Sequence, residues 1–593
     1  ASVRKRSASD IENMLAGDVL LDAIYLDPDA ERFLTERVDM LLEGNASTLT
    51  RLLTRFHHTA TVPTVGSQPR ASTIGLYLEA KFRSVIFTRW PPLLRFLLAQ
   101  REQLSGLVLP ALAQVIETWL TRTPPEIQHN VPMPFRRELA ELALAMARTV
   151  QVEKGHGVAY LMHETSLYTA PLAGAADLPE EIGGWALELA GRRDLDPDVA
   201  QRIDQVLRKQ AEARAERLKT DQLYKARQER KRQIPRFIGS YSERLPPWPL
   251  GASHAVDMDF RNSCLEAGAL RPLMEVRAEI AAEILLALII EDRPEGRHDR
   301  FEVDLGLDFP RDAYPTAFWK SAFFPFLQSA PVEALGALIK LVNFCTERWV
   351  AARSHDGQRQ IPSVTLQLGD DTERHLAGWS EVFGWVQSND SMRNGNLYCA
   401  LDALERWLII RIDAGEDISA DVDRLLLDGN SAAFVSVLVN IAKYRPTLLA
   451  GPLAPLLTFP ALFFWDSDRV KHINYNFIGW SWLQAGEGVF DFARDWTLAP
   501  HRRLKLVDVA IDLVIRDDEV ARRLQALIPT WTLPEDAKAS LEFQLLYASL
   551  DRANYPVVAD PTTGEESRRL VYPETLSTAV RAWQSGQSEA IEH

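Results

Sequence analysis

Apolar residues recur at helical spacing along nearly the whole 593-residue chain, and this pattern restricts its fold more than any other feature. Positions three, four and seven apart fall on one face of an α-helix, so each run predicts an amphipathic helix. Two examples are Leu335, Leu338, Ile339 and Val342, and then Leu397, Leu401, Leu404 and Leu408. Strand-like alternation is rare, and Ser363 to Leu368 is the best short example. The sequence therefore predicts an all-α protein.

Proline marks the predicted starts of many of these helices. At the first helical position proline has the required φ and no N–H to lose. Apolar-periodic runs follow Pro91, Pro134, Pro197, Pro272, Pro331 and Pro446. No strict period of roughly 34 or 40 residues is present, so we expect a degenerate HEAT-like or TPR-like array. In such an array, stacked helical hairpins form a solenoid-like structure.

Shifts in composition predict four parts: an N-terminal helical block (1–200), a long charged helix with a Pro-rich linker (201–250), a C-terminal helical-repeat block (251–555) and a tail (556–593). The segment Gln201–Arg236 holds twelve Lys/Arg against five Asp/Glu, a net charge of +7, whereas the rest of the chain carries −22. It has few apolar residues to bury, so we predict a long, solvated helix that bridges the two blocks.

The strongest positive field in this segment comes from a set that we call the basic cluster: Arg227, Arg230, Lys231 and Arg232. Basic side chains on one stripe neutralise phosphates and release counterions, so a nucleic acid is one candidate partner. An acidic protein surface is another, and a solvated connecting helix without a partner remains a third interpretation.

One uncharged stretch, Pro446 to Trp465, is 20 residues long, which is enough to span a bilayer as a helix. It contains Pro452, Pro455 and Pro460, and each internal proline costs a helix about 3 kcal/mol or more. We therefore predict short buried helices joined by turns, and no membrane partner. The overall content of 46% hydrophobic and 25% charged residues is that of an ordinary soluble protein.

The three cysteines, Cys264, Cys345 and Cys399, are too far apart in sequence for a disulfide framework or a C-x-x-C zinc site. Their apolar neighbours indicate small core residues, and a cytoplasmic location is the simplest expectation. The basic N-terminus has no apolar segment behind it, so we expect no secretory signal. The first residue is Ala1, from which we expect a processed chain or a segment of a longer one.

Catalytic motifs are absent from the sequence. It contains no G-x-x-x-x-G-K-[ST] phosphate loop, no G-x-S-x-G nucleophile and no H-E-x-x-H zinc motif. Groups with some chemical capacity are His57 and His58, His156, His163 and Glu164, the set Asp370, Asp371, Glu373 and His375, and the acidic loop Asp299, Glu302, Asp304, Asp308 and Asp312. Surface and capping roles explain them best, so we predict no catalytic, cofactor-binding or metal-binding residue.

Several stretches resemble the helical C-terminal portions of very large bacterial NLR-like (STAND) P-loop NTPases associated with anti-phage defence. The stretches, spread over roughly residues 50–550, are Arg55–Pro63, Trp90–Pro92, Phe96–Leu97, Leu270–Leu273, Leu341–Trp349, Val382–Trp385 and Ala403–Leu408. None of them is a catalytic motif. The resemblance implies a helical-repeat sensor, which in such proteins follows an effector and an NTPase module and releases an active oligomer when it binds a foreign molecule.

The NTPase motifs themselves are missing from this chain, so the resemblance implies the sensor portion or a stand-alone relative. ATP is then expected only in a module outside the chain, and no cofactor within it. We expect a non-catalytic sensor or scaffold that recognises a macromolecular partner, foremost a protein, with oligomerisation compatible with that role. Two alternatives stay open: an all-α enzyme with an unrecognised carboxylate or histidine site, and a nucleic-acid-binding module that uses the 201–236 helix.

Overall fold

A computed structural model describes the residues 49–50, 52–54, 90–104, 108–122, 133–154, 165–220, 250–254, 256–265, 268–290, 305–307, 316–354, 363–369, 372–386, 394–471, 487–559 and 566–591. Most of them are helical, and the strands that accompany the helices form two short two-stranded sheets. The prediction of a mainly helical protein is therefore confirmed. Among the described helices, none combines the length and the apolar character needed to cross a membrane.

The chain divides into two compact units, Ala1–Glu291 and Asp292–His593. Residues 251–290 thus fall within the N-terminal unit, whereas the shifts in composition predict that the C-terminal block begins at residue 251. The four-part division and the solenoid-like stacking of hairpins remain predictions.

The helices described in the N-terminal unit are α1 (Pro91–Ala99), α2 (Leu109–Arg122), α3 (Met133–Lys154), α4 (Ser166–Ala173), α5 (Pro179–Leu189), α6 (Pro197–Thr220), α7 (Met258–Leu265), α8 (Arg271–Val276) and α9 (Ala278–Ile289), with a 3₁₀ turn at Arg101–Gln103. Helix α4 is buried on all sides because it packs against α2, α3, α7 and α8. The indole rings of Trp90 and Trp119 stack with centroids 6.2 Å apart in the core beside α1 and α2.

Helices of the C-terminal unit are α10 (Phe323–Ser329), α11 (Pro331–Ser354), α12 (Ser380–Phe383), α13 (Gly395–Asp413), α14 (Ser419–Leu427), α15 (Ala432–Tyr444), α16 (Ala461–Lys471), α17 (Glu487–Thr497), α18 (Pro500–Arg503), α19 (Leu506–Arg516), α20 (Asp518–Leu527), α21 (Ala537–Leu550) and α22 (Glu574–Ile591). Five 3₁₀ helices lie between them in the described part of the unit, at Phe318–Lys320, Pro446–Ala450, Ala454–Thr458, Ile528–Thr530 and Arg552–Asn554.

Strands β1 (Ser363–Gln367) and β2 (Glu373–Ala377) pair antiparallel, and β3 (Val557–Ala559) pairs with β4 (Glu566–Arg568) in the same way. The first strand lies within Ser363 to Leu368, the best alternating pattern of the sequence. Arg374 on β2 donates to the carbonyl oxygens of Leu426 and Gly429, which ties this sheet to the end of α14.

Helix α15 is the centre of the C-terminal unit. Its residues from Ala432 to Lys443 are buried, and it packs against α12, α13, α14, α18 and α19. Ser431 begins the helix, because its hydroxyl accepts the backbone N–H of Ala433. A helix surrounded on all sides needs apolar residues all round, and α15 has them except along one polar stripe.

Several local predictions are confirmed. The six prolines that predicted helix starts lie at or next to the first residue of α1, α3, α6, α8, α11 and the 3₁₀ helix that begins at Pro446. The uncharged stretch Pro446 to Trp465 forms two 3₁₀ helices and the start of α16. Cys264, Cys345 and Cys399 are free thiols, buried in the core.

Candidate functional site

A buried ionic network joins four helices of the C-terminal unit. Its members are Asp402 and Glu405 of α13, Ser436, Asn440 and Lys443 of α15, Asp466 and Arg469 of α16, and His501 and Arg502 of α18. Helical spacing places them on facing sides, since residues three, four or seven positions apart share one face of a helix. The stripe at positions 436, 440 and 443 is the sequence signal that could have indicated this network, because it interrupts an otherwise apolar helix.

The guanidinium of Arg502 holds two carboxylates together. Its Nε donates to Glu405 Oε1 at 2.9 Å, and its Nη2 donates to Glu405 Oε2 at 3.0 Å and to Asp402 Oδ1 at 2.7 Å. Trp496 completes the arrangement, since its indole N–H donates to Asp402 Oδ2 at 3.3 Å and its ring lies 4.1 Å from Arg502 Cζ. Bidentate pairing and stacking on an aromatic face both suit arginine better than lysine.

Glu405 accepts two further hydrogen bonds. The Nε2 atom of His501 lies 2.9 Å from Glu405 Oε1, and Asn440 Nδ2 donates to Glu405 Oε2 at 2.8 Å. An ionised carboxylate only accepts, so the proton of His501 is assigned to Nε2. The imidazole also packs edge-on against the ring of Tyr444, with centroids 5.3 Å apart.

Asp466 is the centre of the second half of the network. Its Oδ1 atom accepts from Lys443 Nζ at 2.8 Å and from Arg469 Nη2 at 2.6 Å, and its Oδ2 atom accepts the backbone N–H of Leu506 at 2.7 Å. Leu506 is the first residue of α19, so a side chain of α16 caps the start of another helix.

The amide of Asn440 links the two halves, because its Nδ2 donates to Glu405 while its Oδ1 accepts from Arg469 Nη2 at 2.7 Å. Arg469 Nη1 also donates to the hydroxyl of Ser436 at 2.5 Å. Removal of this amide would therefore take one hydrogen bond from Glu405 and one from Arg469, while Arg502 still donates to Glu405 and Arg469 still donates to Asp466.

Burial and pairing shift the pKa values of the network in opposite directions. Burial acts to raise the pKa of Glu405, but Arg502 and His501 outweigh it and hold that pKa well below its usual range. For Asp402, burial together with the neighbouring Glu405 prevails over Arg502, so its pKa is raised. Burial lowers the pKa of Lys443 to about 8, and the nearby Arg469 adds to the effect.

The pKa of Asp466 is lowered, like that of Glu405. Burial acts to raise its pKa, but Arg469 and Lys443 prevail and lower it. With its carboxylates ionised, the network holds three negative and three positive side chains when His501 is neutral. Such a balance is what allows charges to remain buried at all.

The network combines carboxylates, a histidine and shifted pKa values, which are features of acid–base sites. Each of its ionised side chains nevertheless contacts a protein group of opposite charge, and all are at most 7% exposed. The two clefts whose linings the structure describes lie elsewhere. The arrangement ties α13, α15, α16 and α18 together through paired charges and hydrogen bonds.

One of those clefts lies in the C-terminal unit and has a volume of about 460 Å³. Arg411 forms its charged wall, since it pairs with Glu416 at 2.7 Å and with Asp421 and stacks 5.1 Å from the ring of Trp407. Arg424 lines the other side and donates to the carbonyl oxygen of Val332 at 2.8 Å. The charges of these groups cancel, so the cleft favours neither an anion nor a cation.

A second feature of this unit is an apolar group at the surface, which we call the aromatic surface: the rings of Trp319, Phe324, Phe490 and Phe492 together with Val489. Phe492 and Val489 are exposed, the other three side chains are half-buried, and Arg406 lies beside the group. Phe492 is 52% exposed, and its ring lies 4.9 Å from that of Trp319 and 5.8 Å from that of Phe318. The Phe318 ring lies 5.1 Å from that of Trp496, so the aromatic surface is supported from beneath by the buried ionic network.

The basic cluster lies outside the described residues, and so do the acidic loop and the histidines at positions 57, 58, 156 and 163. Helix α6 contains the first part of the predicted basic helix, and most of its described side chains are exposed. Glu373 and His375 lie on β2, where His375 Nδ1 and the Thr365 hydroxyl are 3.0 Å apart. No group of three potential metal ligands occurs in the described part of the chain.

Comparison with known proteins gives no family assignment: no protein-family model matches this chain, and no curated protein matches its sequence.

Proposed function

We propose that this chain is a non-catalytic helical scaffold or sensor segment that recognises a protein partner through the aromatic surface of its C-terminal unit. The single observation behind the proposal is the exposure of Phe492, whose ring extends a contiguous set of aromatic contacts from the core to the surface. Aromatic residues and arginine are the residues enriched where proteins bind proteins. An exposed apolar patch also carries a cost in solubility, which a binding role would explain.

The rigidity of the support is the second argument. Trp496 is 8% exposed and is held by the hydrogen bond to Asp402 and by stacking on Arg502. Phe318 packs on Trp496, and Phe492 packs on Phe318. A ring that is already fixed loses little side-chain entropy on binding, so more of the contact energy remains for affinity.

We further propose that the chain is related to the sensor portions of STAND NTPases, which it resembles in sequence, and that its helices form a solenoid-like array. In that setting the binding of a foreign molecule would release the active assembly, and ATP would bind to a module outside this chain. We propose a cytoplasmic location because the three cysteines are too far apart in sequence for a disulfide framework.

Site-specific cross-linking tests the proposal. A photoreactive benzoylphenylalanine would replace Phe492 in one variant and Leu427 in the matched control, since Leu427 is 54% exposed in the same unit. After irradiation of cells that express each variant, mass spectrometry identifies the cross-linked protein. We expect an adduct from position 492 that position 427 does not give. Equal adducts from both positions, or none from either, would contradict a binding role for the aromatic surface.

An enzyme remains the second candidate, because His501 and two carboxylates with shifted pKa values meet in one place. A His501→Gln variant keeps a hydrogen-bond donor toward Glu405 but removes the proton exchange that general acid–base catalysis needs. Hydrolase or transferase activity in the purified chain, lost in this variant while the far-UV circular dichroism spectrum is unchanged, would favour the enzyme.

A further inference from the structure

The charges around the aromatic surface are unevenly distributed. Arg406 lies 5.8 Å from the ring centroids of both Phe318 and Trp496, and it makes no ion pair with a carboxylate of the described residues. It is a partly exposed guanidinium held over aromatic rings. Stacking of this kind leaves its N–H groups available for a carboxylate that approaches from outside.

Helix α17, which contains Phe492, has a surplus of negative charge. Arg494 is shared by Asp491 at 3.0 Å and Asp495 at 3.2 Å, so two carboxylates compete for one guanidinium. The Asp495 side chain is 71% exposed. One surface thus combines an apolar centre, a cation without a carboxylate partner and a carboxylate that is incompletely neutralised.

In a two-fold pairing of this surface, the cation of one copy would meet the surplus carboxylate of the other. In a two-fold interface the same patch is used twice, so a residue that contacts another across the interface does so in both directions. An apolar centre with oppositely charged groups on its rim meets that requirement, and the rim charges set the register. A partner of uniform charge would match only one of the two rim groups.

We propose that the aromatic surface binds the same surface of a second copy of this chain, with Arg406 of each copy facing Asp495 of the other. The inference rests on the proposed function, because it names the partner of the same surface. Phe492 and its symmetry mate form the apolar centre, and the two charge pairs flank it. The dimer would be one form of the oligomer that the sequence resemblance implies.

Sedimentation velocity of the full chain over a range of protein concentrations tests the dimer. The wild-type protein is expected to pass from monomer to dimer as its concentration rises. Phe492→Asp should weaken dimerisation roughly 100-fold or more, as expected for the loss of a central aromatic contact. The matched control Leu427→Asp changes a side chain of equal exposure on α14 and should leave the dimer unchanged.

Charge reversal makes the test specific to the proposed geometry. Chains with Arg406→Asp carry two acidic groups at the paired positions, and chains with Asp495→Arg carry two basic ones, so each should remain monomeric alone. Mixed in equal amounts, they should form a heterodimer, because both inter-copy pairs then join opposite charges, one with the wild-type sign and one with the sign reversed. Formation of the heterodimer also demonstrates that both variants are folded.

A wild-type protein that stays monomeric at every concentration, or a dimer that survives Phe492→Asp, would overturn the inference. Failure of the mixed sample to form heterodimers from an otherwise dimeric protein would overturn the pairing of Arg406 with Asp495. The proposed function is tested independently of the dimer. If the protein is monomeric but still cross-links to a different protein through position 492, the binding role of the aromatic surface holds and only the self-association is wrong.

Discussion

Replacement of Arg502 by methionine would show how much the buried ionic network contributes to stability. Arg502 is 2% exposed and donates three hydrogen bonds to Asp402 and Glu405. Methionine fills much of the volume but leaves two buried carboxylates facing each other without their cation. Loss of one partner of a buried ion pair typically costs about 3–5 kcal/mol, so we expect a loss of that size in the C-terminal unit.

Hydrogen exchange followed by mass spectrometry measures this loss where it occurs. A change of about 1.4 kcal/mol is a factor of ten in an equilibrium constant, so exchange in peptides of α13 and α15 should accelerate roughly 100-fold or more. Peptides of the N-terminal unit serve as the internal reference. The matched control is Arg516→Met, because Arg516 is 76% exposed and its pair with Asp512 should contribute at most about 1 kcal/mol.

A third variant separates unpaired charge from lost packing. Adding Asp402→Asn and Glu405→Gln to Arg502→Met removes the repulsion while it keeps the volumes similar, so part of the lost stability should return. If Arg502→Met exchanges no faster than Arg516→Met, the network contributes little to stability and the role assigned to it is wrong. If the triple variant is no more stable than the single one, packing and not charge is responsible.

Three further predictions follow from individual residues. Burial lowers the pKa of Lys443 to about 8, below its unfolded value, so the unfolded chain binds the extra proton and the C-terminal unit should gain stability between about pH 8 and pH 10. Lys443→Met should remove roughly 2 kcal/mol of that gain, measured as exchange rates at both pH values corrected for intrinsic rates, and an unchanged pH dependence would contradict the cause given. Gly191→Ala and Gly415→Ala both place alanine at a positive φ, but only at position 191 would the new Cβ lie 2.4 Å from a carbonyl oxygen, that of His254. Denaturant titration should show a loss of about 1 kcal/mol for Gly415→Ala and at least twice that for Gly191→Ala, and equal losses would refute the contact. Reversal of the basic cluster to glutamate should leave a protein partner bound, whereas loss of binding together with a steep salt dependence would favour an anionic partner.

The elements of this protein could be predicted from the sequence because their causes are local. The ring of proline fixes φ near its helical value and removes the N–H wherever the residue occurs. The start of α11 at Pro331 can therefore be predicted from the sequence alone. The same holds for β1, whose alternating burial follows from the alternation of its residues. The three cysteines were assigned to the core from their apolar neighbours, and they are buried there.

The buried ionic network and the aromatic surface required the tertiary structure. Asp402 and Arg502 are 100 residues apart, and Phe318 and Phe492 belong to different helices, so no spacing along the chain brings them together. The polar stripe on α15 indicates a buried partner but not which one, since the chain contains 81 acidic and 66 basic residues that could meet it. Only the packing of α13, α15, α16 and α18 selects the pairs. Local conformational preferences act within a few residues, whereas the pairing of charges depends on which helices share a core.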